Sequence, residues 1–152
     1  MNAPSIRLAT EADLSAINEI YNHYVRTSVC TYQETEDTPG DRATWLGAHP
    51  PDRFPATVAT IDGEVVGFGS LSPFRSRSAY RFTVENAVYV RHDLHRRGIG
   101  RLLLADLIER SRAVGHQSII AVIDSGASGE HPVASGVRLC RLRGDEASRL
   151  QV

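Results

Sequence analysis

The sequence predicts an α/β domain, a mixed β-sheet flanked by helices, and three observations carry that prediction. Ala56–Ile61 and Glu64–Leu71 are apolar, β-branched runs separated by Asp62-Gly63, a pair that supplies the positive φ angles of a tight hairpin turn. Thr83–Val90, a glycine-bearing turn, a stripe of Ile99, Leu102, Leu103 and Leu107, and the apolar run Ser118–Ile123 then form a β-α-β unit with parallel strands. Ahead of the hairpin, Leu14, Ile17, Tyr21 and Tyr24 recur at helical spacing, so a helix buries one face there.

The remaining elements follow in order. Ser5–Leu8 alternates as a short first strand, and Thr10 opens the first helix with Asp13 in the position of a capping acid. Thr27–Pro39 lacks periodicity and reads as a loop. Asp41–His49 reads as a short second helix with Trp45 and Leu46 pointing inward, stopped by His49-Pro50-Pro51. Ser72–Phe82 is a polar, arginine-bearing loop. The strand Thr83–Val90 sets Val84, Asn86, Val88 and Val90 on one face and Glu85, Ala87 and Tyr89 on the other. The long helix ends near Gly115, a C-cap residue.

A length of 152 residues suits one domain with a core of its own. With 17 basic against 18 acidic side chains there is no global field to recruit nucleic acid or a membrane surface. Two cysteines far apart in sequence, Cys30 and Cys140, do not make a disulfide framework. No signal peptide or apolar span long enough to cross a bilayer is visible, so the expected setting is soluble and cytoplasmic.

The chemistry concentrates in His95–Arg101, H-R-R-G-I-G-R. Gly98 and Gly100 sit where a strand hands over to a helix. Backbone N–H groups there lack helical partners and carry the positive end of the helix dipole, which favours phosphate. Glycine lets an anion come close to the backbone, and Arg96, Arg97 and Arg101 add positive charge. A Walker loop would end in Gly-Lys-Ser/Thr, and a dinucleotide fingerprint would need a third glycine near Leu103. On this motif alone, a phosphate cradle and a plain helix-starting turn stand at even odds.

The ordered segments I-R-L-A-T-E-A-D-L (Ile6–Leu14), I-Y-N-H (Ile20–His23), D-G-E-V-V-G-F (Asp62–Phe68), L-S-P-F-R (Leu71–Arg75), A-Y-R-F-T-V-E-N-A-V-Y-V (Ala79–Val90) and R-R-G-I-G-R-L-L (Arg96–Leu103) break that tie. In them the chain resembles the GNAT superfamily of N-acetyltransferases, and within it the phosphinothricin acetyltransferase branch. The resemblance runs from Ile6 to about Ser125. It implies a GNAT-like mixed sheet and acetyl-CoA as cosubstrate, with no metal. It further implies acetyl transfer to the primary amine of a small amino acid or analogue, such as phosphinothricin or methionine sulfone. Cofactor binding then falls to the strand residues Val88, Tyr89 and Val90 along the pantetheine arm. The turn residues His95, Arg96, Arg97, Gly98, Ile99, Gly100 and Arg101 fall at the diphosphate. His95 replaces the usual Arg or Gln of the motif, for which weaker binding is expected. The relatives' assembly implies a homodimer.

An amine must lose a proton before it attacks a thioester, and a positioned carboxylate can take it. Glu85 occupies the family's T-V-E position and is the expected base. Arg75 and Arg81 are candidates to hold the acceptor's acidic group, since guanidinium pairs bidentately with carboxylate or phosphinate. Tyr80, Tyr32 and Glu34 are candidate pocket residues. For these five, an exposed loop charge or a packed ring is an equal alternative. His92 and His95 are the one close histidine pair, without cysteine or acid ligands in a metal-like order. Cys30 is not expected to act as a nucleophile, because direct transfer needs none.

The resemblance stops after Asp124, which divides the chain into an acetyltransferase core, 1–124, and an atypical tail, 125–152. The expected helix and closing strands are replaced by S-G-A-S-G-E-H-P-V-A-S-G-V-R-L-C-R-L-R-G. Read one base later, codons for Glu130–Ala134 and Gly136–Cys140 can encode Ser-Ile-Arg-Leu and Gly-Phe-Val-Cys, pieces of the missing segment. A frameshift near Ala127–Gly129 is therefore a hypothesis that sequencing the gene tests. A long helix across Ser125–Gly136 is not expected. A last strand at Val137–Leu142 is allowed, and the edge of Ser118–Ile123 is expected to stand exposed and prone to aggregation or partner pairing. No counterpart of the family's C-terminal proton donor is visible. Two alternatives to the enzyme follow: a catalytically impaired remnant that at most binds CoA, and, less favoured, a nucleic-acid module using Arg91, Arg96, Arg97 and Arg101.

Overall fold

The structure, a computed structural model, describes residues 2–123 and 136–142. Its elements are β1 (Ser5–Leu8), α1 (Leu14–Thr27), α2 (Pro39–Gly47), β2 (Ala56–Ile61), β3 (Glu64–Pro73), β4 (Thr83–Val90), α3 (Ile99–Val114), β5 (Ser118–Ile123) and β6 (Gly136–Arg141). The six strands form one sheet in the order β1-β2-β3-β4-β5-β6. Every neighbouring pair is antiparallel except β4 and β5, which run parallel on either side of the crossover helix α3. The predicted mixed sheet with flanking helices is what is found.

Local chemistry explains the elements. Thr10 caps a single 3-10 turn, Glu11–Asp13, that leads into α1; its backbone N–H and hydroxyl both donate to the Asp13 carboxylate. Arg7 also donates to Asp13 through two N–H groups, each at 2.7 Å, and these hold the carboxyl below its ordinary value. The Asp62-Gly63 turn has φ of 52° and 86°, as a tight hairpin demands. Gly115 closes α3 at φ 101°.

The two sheet faces pack different helices. Ile17 and Ile20 of α1 bury against Val58 and Phe68, with Trp45, Tyr21, Tyr24 and Tyr89 packed around them. On the opposite face Ile99, Leu103 and Leu107 of α3 bury against Ala59, Val66, Leu71 and Val84. The register shift between Ala59 and Thr60 leaves Val66 as an extra residue in β3, so Val66 and Phe68 face opposite sides. A Cβ on Gly67 would lie 3.2 Å from Leu103 Cδ1, and one on Gly69 would lie 2.9 Å from Leu107 Cδ1. These two glycines therefore let α3 sit close on β3, and that contact places the start of α3.

Four expectations change. The second helix starts at Pro39, not Asp41, because Thr38 caps it and Pro39 suits the first helical position. Its buried residue is Arg42, while Leu46 is only half-buried. Leu102, expected in the buried stripe of α3, is 42% exposed because Leu103 and Leu107 take the inward positions. β6 pairs with β5 over Ile123↔Gly136 to Ser118↔Arg141, which covers the edge expected to stand open. The expectation of no long helix across Ser125–Gly136 lies outside the described residues, as does most of the proposed 125–152 tail.

Candidate active site

β4 is central because its two edges have different neighbours. Along β3 it is paired throughout, from Pro73↔Val84 to Gly67↔Val90. Along β5 the pairing covers only Thr83 to Asn86. Past Asn86, Ala87–Val90 has no strand partner on that side among the described residues. Backbone direction alternates along a strand. A Cβ on Gly67 would meet the Tyr89 carbonyl oxygen and one on Gly69 the Ala87 carbonyl, while Arg91 N–H donates to Val66. Residues 87, 89 and 91 thus point to β3, and Val88 and Val90 point to the open edge. Tyr89 differs from its neighbours here: its backbone faces β3 and its ring packs on the α1 side.

The turn follows directly. Arg91 opens a 3-10 turn, His92–Leu94, and the chain then reverses through Arg96, at φ 61°, and Gly98, at φ 78°, into α3. Gly98 O accepts from Leu102 N–H at 3.1 Å, the first bond of the helix. The amides of Ile99, Gly100 and Arg101 precede that bond and have no helical acceptor. The Ile99 side chain is core, so only its backbone faces the turn. Arg96, Arg97 and Arg101 are exposed around it. A Cβ on Gly100 would find Val90 Cγ2 at 3.6 Å and Val88 Cγ1 at 3.9 Å, which is ordinary contact. Turn and open edge are therefore adjacent.

Glu85 lies one residue before the β4–β5 ladder ends and is half-buried. Its side chain emerges on the Tyr89 face of the sheet, the face covered by α1 and α2. The Tyr89 ring meets Tyr21 at 5.4 Å, Tyr24 at 5.8 Å and Phe68 at 5.2 Å between centroids. Burial drives the Tyr89 hydroxyl well above its ordinary value; Tyr21, Cys30 and Glu85 add to that and Arg42 opposes it. On the other face, Asn86 Oδ1 is buried with no hydrogen-bond partner among the described residues.

The remaining candidates are scattered over two loops. Arg75 stacks on Phe74 and Tyr80, with 5.1 and 6.0 Å to the ring centroids. Arg81 stacks on Phe82 at 4.5 Å and donates to the Ser78 carbonyl. Both are therefore engaged within their own loop, which enters β4 two residues before Glu85. Tyr32 is 56% exposed at φ 52°, and Glu34 is exposed. Sequence reasoning missed the part played by Tyr21, Tyr24 and Arg42, since helical spacing marks the tyrosines only as core. His92 stacks on His23 at 4.0 Å and His95 faces Tyr24. Among the described residues no group of three His, Cys, Asp or Glu side chains is placed to hold a metal. Nor does any described helix have the length and apolar content to cross a membrane.

Comparison with known proteins agrees with this architecture. The model of the acetyltransferase (GNAT) family matches residues 17–131. A phosphinothricin N-acetyltransferase of Streptomyces viridochromogenes is 38% identical over 120 residues, covering 78% of this chain and 64% of the relative. An L-methionine sulfoximine/L-methionine sulfone acetyltransferase of Pseudomonas paraeruginosa is 41% identical over 123 residues, covering 80% and 72%. The crystal structure of a phosphinothricin acetyltransferase from Sinorhizobium meliloti in complex with acetyl-CoA superposes with a TM-score of 0.76 at 38% identity, covering 79% and 65%. The chain thus spans roughly two thirds of the length of these relatives. With the family model matched over most of its length and these identities behind it, the chain belongs to the acetyltransferase (GNAT) family.

Proposed function

We propose that the chain is an N-acetyltransferase that moves the acetyl group of acetyl-CoA to the primary amine of a small amino acid or analogue of the phosphinothricin or methionine sulfone type. One observation carries the reading: at the end of β4 an open strand edge, a glycine turn at a helix start and a carboxylate lie in sequence. The residues present fit the cosubstrate. The edge of Val88 and Val90 suits the amide-bearing pantetheine arm, and Asn86 Oδ1 is a buried acceptor in want of a donor where β5 departs. The amides of Ile99, Gly100 and Arg101, together with Arg96, Arg97 and Arg101, suit the diphosphate.

In this reading acetyl-CoA supplies an activated thioester. Glu85 accepts a proton from the acceptor's ammonium group, directly or through a water, and the free amine attacks the acetyl carbon. As the C–N bond forms and the C–S bond breaks, the nitrogen gives up its second proton through water to the departing thiolate, and Glu85 returns the first to solvent. The rings of Tyr21, Tyr24 and Tyr89 exclude water on the α1 face, while Arg75 and Arg81 supply charge for an acidic acceptor from the loop before β4. The remnant alternative is weaker, because β6 pairs with β5 along its whole length. A homodimer like that expected of the relatives is part of this proposal, and size-exclusion with light scattering measures it.

The test is thiol release from acetyl-CoA with methionine sulfone or phosphinothricin, alongside calorimetry for CoA. Turnover is expected, and Glu85→Gln is expected to lower kcat about 100-fold, with the KM for acetyl-CoA within about twofold. CoA binding without turnover by the wild-type chain would establish the remnant instead.

A further inference from the structure

We propose that Tyr24 and His95 are positioning residues which tie the glycine turn and the open edge of β4 to α1, and so set the affinity for the acetyl donor. The proposal rests on the donor-site reading for its kinetic part, but its geometry stands alone. Tyr24 projects from α1, and its hydroxyl contacts two groups: the Val90 carbonyl and His95 Nε2. A phenol has one proton. Val90 O can only accept, so that proton goes to Val90, and His95 must donate through Nε2–H to the Tyr24 oxygen. The chain of donation runs His95 to Tyr24 to Val90. It joins the turn and the last residue of β4, five residues apart, to a helix some 66 to 71 residues earlier in the chain.

Packing holds this chain in place. The Tyr24 ring lies near-parallel to the His95 ring, with an interplanar angle of 13°, and tilts against Tyr89 at 5.8 Å. His23 meets Tyr24 edge-on at 90° and itself stacks on His92 at 12°. The hydroxyl is raised by burial, so the proton stays on the phenol at neutral pH. Val90 O lies on the edge that β5 leaves open, where a carbonyl without a partner would otherwise depend on the ligand for its hydrogen bond. Tyr24 supplies that bond in advance and leaves the Val90 N–H facing the cleft. His95, which by its exposure could turn away from the protein, is instead committed inward. The turn of Arg96 and Gly98, both at positive φ, is thereby braced at its first residue.

Hydrogen exchange and kinetics on the full chain test this with Tyr24→Phe, His95→Ala, His95→Gln and the double variant Tyr24→Phe/His95→Ala. Loss of one such hydrogen bond is expected to speed exchange of the Leu102 amide, which is bonded to the Gly98 carbonyl of the turn, roughly fivefold. The double variant should exchange no faster than Tyr24→Phe, because one chain is broken in both. His95→Gln keeps an N–H donor and should exchange like the wild type. The KM for acetyl-CoA should rise about fivefold in Tyr24→Phe, with kcat within about twofold. Unchanged exchange, or additive effects in the double variant, would overturn the proposal. So would a fall in kcat at constant KM, which would make Tyr24 a proton donor. If Tyr24→Phe fails to fold, the exposed His95 carries the test through His95→Ala against His95→Gln. If the wild-type chain binds no CoA while the exchange pattern holds, the donor-site reading fails and the brace stands.

Discussion

Gly98 and Gly100 stand two residues apart and are glycine for different reasons. Gly98 is at φ 78° with no atom within 4 Å of an added Cβ, so only the backbone conformation excludes a side chain there. Gly98→Ala is expected to cost about 1 kcal/mol of stability, measured by urea unfolding. Gly100 is helical, and an added Cβ makes only ordinary contacts with Val90 and Val88. Gly100→Ala should therefore be as stable as the wild type or up to about 1 kcal/mol more so. It should nonetheless bind CoA about tenfold more weakly in calorimetry, because the methyl group occupies the approach to the amides. Equal affinity would mean that no ligand comes close to the backbone at that point. Both glycines were legible in R-R-G-I-G-R. Tyr24 was not: its spacing from Ile17 and Tyr21 marks a buried face, and nothing in the local sequence names Val90 and His95 as its partners.

The elements read well from sequence where local chemistry decides them. Asp62-Gly63 needs a hairpin, and the stripe between Gly98 and Gly115 needs a helix. The start of α2 was misread because Thr38-Pro39 closes a segment without periodicity. Arg42 was invisible for a related reason, since its partner comes from the preceding loop. It is 2% exposed, donates to the Asp37 carboxylate, and lies over the rings of Tyr21 at 4.5 Å and Trp45 at 5.1 Å. Asn18 and Asn22 both donate to the Asp37 carbonyl, and Gln33 joins the Asp37 carboxylate to the Tyr21 hydroxyl. The loop between α1 and α2, which carries Tyr32 and Glu34, is thus held from beneath. Breaking a buried pair by removing one member leaves a charge without compensation. Asp37→Asn is expected to cost about 3 kcal/mol in urea unfolding. Adding Arg42→Met should recover part of that loss, because no buried charge then remains. A double variant less stable than Asp37→Asn would show that Arg42 acts mainly through its ring contacts.

For the molecule as a whole, buried histidines set the response to acid. His49 is buried, with Nδ1–H donating to the Trp45 carbonyl and Ser72 donating to Nε2, and burial lowers its pKa. His116 is buried beside the Ser111 hydroxyl at 3.0 Å, and burial lowers it too. In each the folded state favours the neutral ring. As pH falls below about 6.5, the unfolded chain takes up these protons and the folded chain resists them, so stability declines. Each histidine adds up to about 1.4 kcal/mol per pH unit to that slope until its folded pKa is reached. Asp13, lowered by Arg7, contributes stability in the same direction at lower pH, lost as the solution passes below the ordinary carboxylate range. Urea midpoints should therefore fall between pH 7.5 and 5, and His116→Gln should flatten the fall, since glutamine keeps polar contacts without a proton to gain. A midpoint that rises toward pH 5, or a slope untouched by that substitution, would assign the acid response to other groups.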